Sequence, residues 1–261
     1  MHGLERQRLI LEALQLESFL SVEQLQERLN ASPATIRRDF TELAEKGLVV
    51  RGHGGIHRLE NAPVMGVVPI SRRRVEHPAE KECIARAAAS LLYSSDIVII
   101  DGGSTTAGLA NYLSPHIRVI TNSLPLATAL NKPQNPQSPA PEVNVTGGYL
   151  YPKSEVLLGP QTVLALREYQ ANWCFLGTSG VTVGGILNSN NMVVDTQREM
   201  IARSEKVAIL ADASKFNYTA MVRVCPLSTV DVLVTNQQPD KRLEEALIEN
   251  DVQILVAAKN E

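Results

Sequence analysis

Between Asp96 and Val256 short apolar runs alternate with amphipathic segments, and this alternation constrains the fold more than anything else in the chain. Asp96-Ile97-Val98-Ile99-Ile100-Asp101 is apolar at every position between its two aspartates, as a strand buried on both faces must be. Arg118 to Thr121, Val143 to Thr146, Trp173 to Leu176, Val207 to Leu210, Val230 to Val234 and Val252 to Val256 read as further strands. Helical spacing predicts helices over Ala79 to Leu92, Ala107 to Leu113, Leu124 to Leu130, Thr162 to Tyr169, Thr196 to Ser204 and Lys241 to Glu249. Strands and helices in this order predict an open, mostly parallel, Rossmann-like α/β sheet flanked by helices. Ligands of such sheets bind at the carboxyl ends of the strands.

Those ends carry one kind of residue. They read Asp101-Gly102-Gly103-Ser104-Thr105, Thr121-Asn122-Ser123, Thr146-Gly147-Gly148, Gly177-Thr178-Ser179-Gly180 and Asp212-Ala213-Ser214-Lys215. Small and hydroxylic residues leave backbone N–H groups free to cradle an oxyanion. Gly102 to Thr106 opens a predicted helix whose N-terminus would favour a phosphate. Lys215 offers a compact positive charge, and Asp101 and Asn122 can bond sugar hydroxyls. Any one of these loops is an ordinary turn. Five on one edge point to a polar small-molecule site, although neither a P-loop nor a G-x-G-x-x-G spacing is present.

The first 57 residues follow a different rule. Leu4 to Leu16 is amphipathic, and Leu25 and Leu29 give a second helix its apolar face. After Asn30-Ala31, Ser32 stands at an N-cap position with Pro33 at the first helical position. Ile36, Phe40 and Leu43 can face a core, which leaves Ser32, Ala34, Thr35, Arg37 and Arg38 near an exposed helix N-terminus. A helix presented this way suits the DNA major groove, where arginine reads guanine and a threonine methyl meets thymine. Leu48 to Gly55 reads as a strand and a glycine-rich wing, with Arg51 and His53 near the sugar-phosphate backbone. An ordinary helical hairpin with a solvated charged face is the plainer alternative.

The chain has 261 residues and a net charge of −3, so any phosphate affinity must be local. Residues 46 to 81 hold seven Lys or Arg against three Glu. Cys83, Cys174 and Cys225 are odd in number and far apart, which favours a reducing cytoplasm over a disulfide framework. No apolar run approaches a membrane span. His53 and His57 have no accompanying carboxylate or cysteine nearby, so no metal is expected. Asp101, Asp195, Glu199 and Asp212 are positioned as possible bases for isomerase chemistry. Asp195 and Glu199 read more simply as helix-surface groups, and neither a catalytic residue nor a cofactor is expected. The expected organisation is a DNA-binding domain over residues 1–57, a linker over 58–77, and a ligand domain over 78–261; the triplet Arg72-Arg73-Arg74 reads either as solvated linker, the simpler reading, or as an additional phosphate contact or a salt-bridge partner for the second domain. Residues 131–142, with four prolines, read as a surface loop.

Ser32 to Gly55, SPATIRRDFTELAEKGLVVRGHGG, resembles the winged helix-turn-helix of DeoR-type bacterial transcriptional regulators. It departs mainly at Phe40, where leucine is common. The loops at 101–105, 121–123, 147–148, 175–180 and 212–216 resemble the effector domain of the same family, which is similar in fold to ribose-5-phosphate isomerase. Ser179 departs from the Asp or Asn of many relatives, which bears on ligand hydroxyl contacts. The resemblance implies a repressor of carbohydrate catabolism genes that binds double-stranded operator DNA as a homo-oligomer, dimer or tetramer, and is released by a phosphorylated sugar or polyol. The alternative is a sugar-phosphate isomerase or deaminase carrying a DNA-binding domain.

Overall fold

The computed structural model describes residues 3–17, 19–46, 48–52, 54–58, 69–132 and 140–258. His53 and positions 133–139 of the proline-rich segment lie outside them. The chain divides into two compact units, residues 1–66 and 67–261.

In the first unit α1 (Gly3–Leu16), β1 (Phe19–Ser21), α2 (Val22–Leu29) and α3 (Pro33–Glu45) precede a hairpin of β2 (Val49–Gly52) and β3 (Gly55–Arg58). Both helices of the helix-turn-helix begin where their capping residues dictate. Ser21 Oγ accepts from Gln24 N at 3.2 Å while Gln24 Oε1 accepts from Ser21 N at 2.8 Å, a reciprocal capping box. Asn30 ends α2 in the left-handed region at φ 46°. Ser32 Oγ then accepts from Thr35 N at 3.2 Å, with Pro33 in the first turn of α3. Ile36, Phe40 and Leu43 are buried against Ile10, Leu14, Leu20 and Leu25. The wing gains a third strand that sequence reading did not foresee: β1 pairs antiparallel with β3, Leu20 opposite Ile56. A three-residue strand is too short to show alternation.

The second unit opens with α4 (Ile70–Val75) and α5 (Pro78–Ala89). Then follow β4 (Ile97–Ile100), β5 (Arg118–Thr121), α6 (Leu124–Leu130), β6 (Glu142–Val145), β7 (Tyr149–Tyr151), β8 (Val156–Leu158), α7 (Pro160–Leu166) and β9 (Ala171–Gly177). The rest comprises β10 (Gly180–Thr182), β11 (Gly185–Asn188), α8 (Asn191–Ala202), β12 (Ser204–Leu210), β13 (Val222–Cys225), β14 (Val232–Thr235), α9 (Lys241–Glu249) and β15 (Gln253–Val256). Seven strands form one parallel sheet in the order β15-β14-β12-β9-β4-β5-β6. Side chains alternate across it. Ile99, Cys174, Leu176, Ile209 and Leu233 enter one core, and Val98, Ile100, Phe175, Leu210 and Val234 enter the other. The chain winds outward from β4 in one direction and from β9 in the other, so the strand order reverses between them. A crevice opens at such a reversal, at the strands' carboxyl ends.

Two expectations change. Residues 70–75, assigned to a solvated linker, form α4: Ile70 is buried and its N–H donates to Lys153 O at 2.8 Å. The helix expected over 107–113 is a 3₁₀ segment, Thr106–Asn111. Thr106 Oγ donates to Asp101 O at 2.7 Å and to Gly103 O at 3.2 Å, which tightens its first turn. A short 3₁₀ turn cannot supply the helix N-terminus expected there for a phosphate.

Candidate functional site

In the first unit the candidate groups gather on α3 and the wing. Ala34, Arg37, Arg38 and Arg51 are exposed. Ser32 Oγ is held at 2.8 Å from Thr35 Oγ1, so both hydroxyls belong to the cap. Arg38 pairs with Glu42 one turn on at 3.3 Å while its side chain stays 82% exposed, a weak pair that yields readily to a stronger anion. Arg51 Nη1 donates to Thr41 Oγ1 at 3.1 Å, and Thr41 Oγ1 donates to Arg37 O at 3.0 Å, which ties the wing to α3. From beneath, Arg6 of α1 grips the buried Asp39 through two parallel bonds of 2.5 and 3.0 Å. That fork holds the presented helix against α1. His53, also expected at the backbone, lies outside the described residues.

In the second unit the strand order reverses between β4 and β9, and at their carboxyl ends the loop residues singled out above meet further polar groups. Asp101 follows β4 and is buried. Its Oδ2 accepts from Gln197 Nε2 at 2.7 Å, and the same amide donates to Gly177 O at 2.8 Å at the end of β9. Asn188 Nδ2 donates to Gln197 Oε1 at 3.1 Å, and Ser179 Oγ donates to Asn188 Oδ1 at 3.1 Å. A polar chain thus runs from Ser179 to Asp101 across the reversal. Burial pushes the Asp101 carboxyl up to about 6, against the lowering pull of Gln197, the Gly102 N–H, Asn122 and Arg73. Asn122 Oδ1 accepts from Gly102 N at 3.0 Å, while its Nδ2 is buried without completing a hydrogen bond.

The remaining loop residues divide by role. Thr121 Oγ1 donates to Ile100 O at 2.6 Å and accepts from Ser123 N at 3.0 Å, so its hydroxyl serves the turn. Three loop glycines are needed for packing: a Cβ at Gly102 would stand 2.1 Å from Val156 Cγ1, one at Gly148 2.2 Å from Thr162 Oγ1, and one at Gly180 1.9 Å from Tyr218 O. Gly103 and Gly177 lie against each other: a Cβ on either would stand about 4 Å from the other's Cα. Gly147 O accepts from Thr162 Oγ1 at 2.8 Å, which anchors the Gly147-Gly148 turn to α7. Asp212 Oδ1 accepts from Ser214 N at 3.0 Å and caps the turn that carries Lys215. Thr105 is buried, and Ser104 opens onto a cleft of about 590 Å³ lined also by Arg74, Leu124, Lys132 and Glu155. Of the carboxylates weighed as bases, Glu199 is held by Arg167 at 3.2 Å and Arg203 at 3.3 Å, and Asp195 is exposed.

Residues 6–62 match the DeoR-like helix-turn-helix domain, and residues 76–237 match the DeoR C-terminal sensor domain. The chain belongs to the DeoR family. It is a DNA-binding transcriptional regulator. It is similar to the glycerol-3-phosphate regulon repressor of Escherichia coli (strain K12), at 31% identity over 97% of this chain and 99% of the relative. The HTH-type transcriptional repressor GlcR of Bacillus subtilis (strain 168) is 28% identical over 100% of this chain and 99% of its own. Among solved structures, ribose 5-phosphate isomerase A from Neisseria gonorrhoeae has a TM-score of 0.36 at 16% identity, with 54% of each chain covered, too low to carry an argument.

Four further residues of this candidate site were not assigned to it from the sequence. Gln197 and Asn188 sit in unremarkable polar stretches, and only the paired approach of α8 and β11 to Asp101 reveals them. Arg73 belongs to the triplet for which solvated linker was the simpler reading and a phosphate contact the other, and Lys81 to a helix read for its apolar face. Burial lowers the affinity of both for their protons, and each feels site carboxylates: Asp101 for Arg73, Asp212 for Lys81. Among the described residues no helix is long and apolar enough to cross a membrane.

Proposed function

We propose that this regulator is a repressor whose operator is released when a phosphorylated sugar or polyol fills the crevice at the ends of β4 and β9. One observation carries the reading. A single chain pairs a capped helix with exposed Arg37 and Arg38 and a sheet whose strand order reverses at a polar crevice flanked by Lys81, Arg73 and Lys215. Hydroxyl recognition falls to Asp101, Asn122 and Ser179, and the anion to the basic groups. The name of the Escherichia coli relative, a glycerol-3-phosphate regulon repressor, supports an effector of this class. Gln197 engages Asp101 and two arginines engage Glu199, and the relatives are transcriptional regulators, so catalysis is not part of the reading.

The protein acts as a homo-oligomer in this proposal, with two DNA-binding units on half-sites about 34 Å apart. The effector binds one state of the oligomer better and shifts the population away from the DNA-competent one. A coupling of about 1–3 kcal/mol changes operator affinity by about 5–150-fold. The test is fluorescence anisotropy of the full chain on the DNA upstream of its own operon, at fixed salt, titrated with a panel of phosphosugars and their unphosphorylated counterparts. Loss of binding with one phosphorylated compound is expected. Tight binding indifferent to every compound would refute the effector assignment, and binding no better than to random DNA would refute the proposed operator recognition.

A further inference from the structure

Resting on the reading that Arg51 meets the sugar-phosphate backbone, we propose that Thr41 is a positioning residue for the wing. Its hydroxyl turns the Arg51 guanidinium along α3, so that the wing and the presented helix meet operator DNA as one preset surface. The register of the hairpin decides where Arg51 points. Arg51 stands opposite Ile56, and Gly52 opposite Gly55. Residues opposite each other in an antiparallel pair share a face, as do residues two apart on one strand. Val49, Arg51 and Ile56 therefore lie on one face of the wing. Val49 and Ile56 are buried in the core that holds Ile36, Phe40 and Leu43 of α3. Alternation thus starts the Arg51 side chain toward α3, although the residue as a whole stays exposed.

A guanidinium cannot follow Val49 and Ile56 into an apolar core. At the outer end of the hairpin it meets the rim of α3 instead, where Thr41 supplies an acceptor. Arg51 Nη1 donates to Thr41 Oγ1 at 3.1 Å. The hydroxyl's own proton is directed away, because Thr41 Oγ1 donates to Arg37 O at 3.0 Å, one turn back on the helix. Its lone pairs are thereby left for the arginine. The carbonyl fixes the hydroxyl, and the hydroxyl fixes the guanidinium. Among the described residues Thr41 is the one side chain hydrogen-bonded to Arg51.

Thr41 and Arg37 are four residues apart, so their side chains lie on one face of α3. Arg51 held at Thr41 is set one turn from Arg37 on that face, and both arginines are exposed. The wing's cation is thus aligned with the helix that enters the groove, where the bordering phosphates run. The hairpin itself is held elsewhere, through its backbone: Val22 N donates to Gly54 O at 3.0 Å, and a Cβ at Gly55 would stand 2.3 Å from Leu20 O. What Thr41 adds is the orientation of one side chain. An arginine held this way has less rotamer freedom to lose on meeting a phosphate than one free in water. A phosphate, being charged, binds the guanidinium more strongly than a neutral hydroxyl does, so the bond orients Arg51 and does not withhold it from DNA.

The experiment measures binding of the full chain to the DNA upstream of its own operon, by anisotropy at several salt concentrations. It compares wild type, Thr41→Val, Thr41→Ser, Arg51→Ala and the double variant of Thr41→Val with Arg51→Ala. Valine keeps the shape of threonine and removes the hydroxyl. Thr41→Val is expected to weaken operator binding about threefold to tenfold, the worth of one hydrogen bond, and to keep the wild-type salt slope because the cation is still present. Thr41→Ser keeps the hydroxyl and is expected to stay within about twofold of wild type. In the Arg51→Ala background the change at Thr41 is expected to cost less than about twofold, since nothing is left to orient. Thr41→Ala, a better helix former, replaces the valine variant should that fail to fold. An equal loss with and without Arg51 would overturn the proposal, and so would wild-type affinity in Thr41→Val or a Thr41→Ser as weak as the valine variant. Wild-type affinity and salt slope in Arg51→Ala would show that Arg51 does not meet the backbone, and the proposal would fall with that reading.

Discussion

At the scale of single residues, two buried charges set the behaviour of the two units. Asp101 is an acid whose carboxyl is raised to about 6 by burial. Between the unfolded value near 4 and the folded value near 6 the native state holds more protons, so its contribution to stability falls as pH rises through this window. The shift of about 2 units corresponds to roughly 3 kcal/mol. Asp101→Asn keeps an acceptor for Gln197 and removes the charge. Relative to wild type, it is expected to gain stability from pH 4.5 to pH 7.5, read by urea denaturation at both ends. A difference that does not change with pH would show that the carboxyl is not held near 6. Asp39 is the counterpart in the first unit. Its side chain is 4% exposed and carries the fork from Arg6. Asp39→Ala is expected to destabilise the DNA-binding unit by roughly 3 kcal/mol, because it strips a buried pair of one partner. The unfolding midpoint of that unit checks it.

At the scale of elements, α3 makes the sharpest statement. Arg37→Ala and Arg38→Ala are each expected to cost about 1–3 kcal/mol at the specific site and little on random DNA, whereas Arg51→Ala is expected to reduce the salt slope by about one. Titrations at two or more salt concentrations separate the two kinds of contact. The sequence made α3 legible for a physical reason: Ser32, Pro33 and the spacing of Ile36, Phe40 and Leu43 act within one helix. The parallel strands were legible because both faces are apolar, as at Ile97–Ile100. What escaped depended on distant partners. β1, β7, β8 and β10 have three residues each, so only pairing defines them. α4 is a helix because Lys81 and Lys153 hold it, and Gln197 belongs to the crevice because α8 points it at Asp101. The 3₁₀ turn at Thr106–Asn111 replaced an expected α-helix through hydroxyl bonds that periodicity does not register.

At the scale of the molecule, the two units have separate cores: Ile10, Leu20, Ile36 and Phe40 in one, and the two faces of the parallel sheet in the other. Scanning calorimetry of the full chain is expected to resolve two transitions. An effector at a hundred times its dissociation constant adds about 2.7 kcal/mol to the unit that binds it, so only the transition of the sheet unit should move. Movement of both together would indicate that the units unfold as one.

The strand order has a consequence for the chain during its synthesis. Domains generally fold as they emerge, N-terminal first. Everything that presents Arg37 and Arg38 is complete once residue 58 has emerged. The crevice cannot close until β9, α8 and the turn bearing Lys215 have been made, because its two walls come from opposite halves of the sheet. At about 5–20 residues per second that interval is on the order of ten to thirty seconds. On the function proposed above, a ribosome-tethered regulator holds for that long a finished reading head and no ear for its signal.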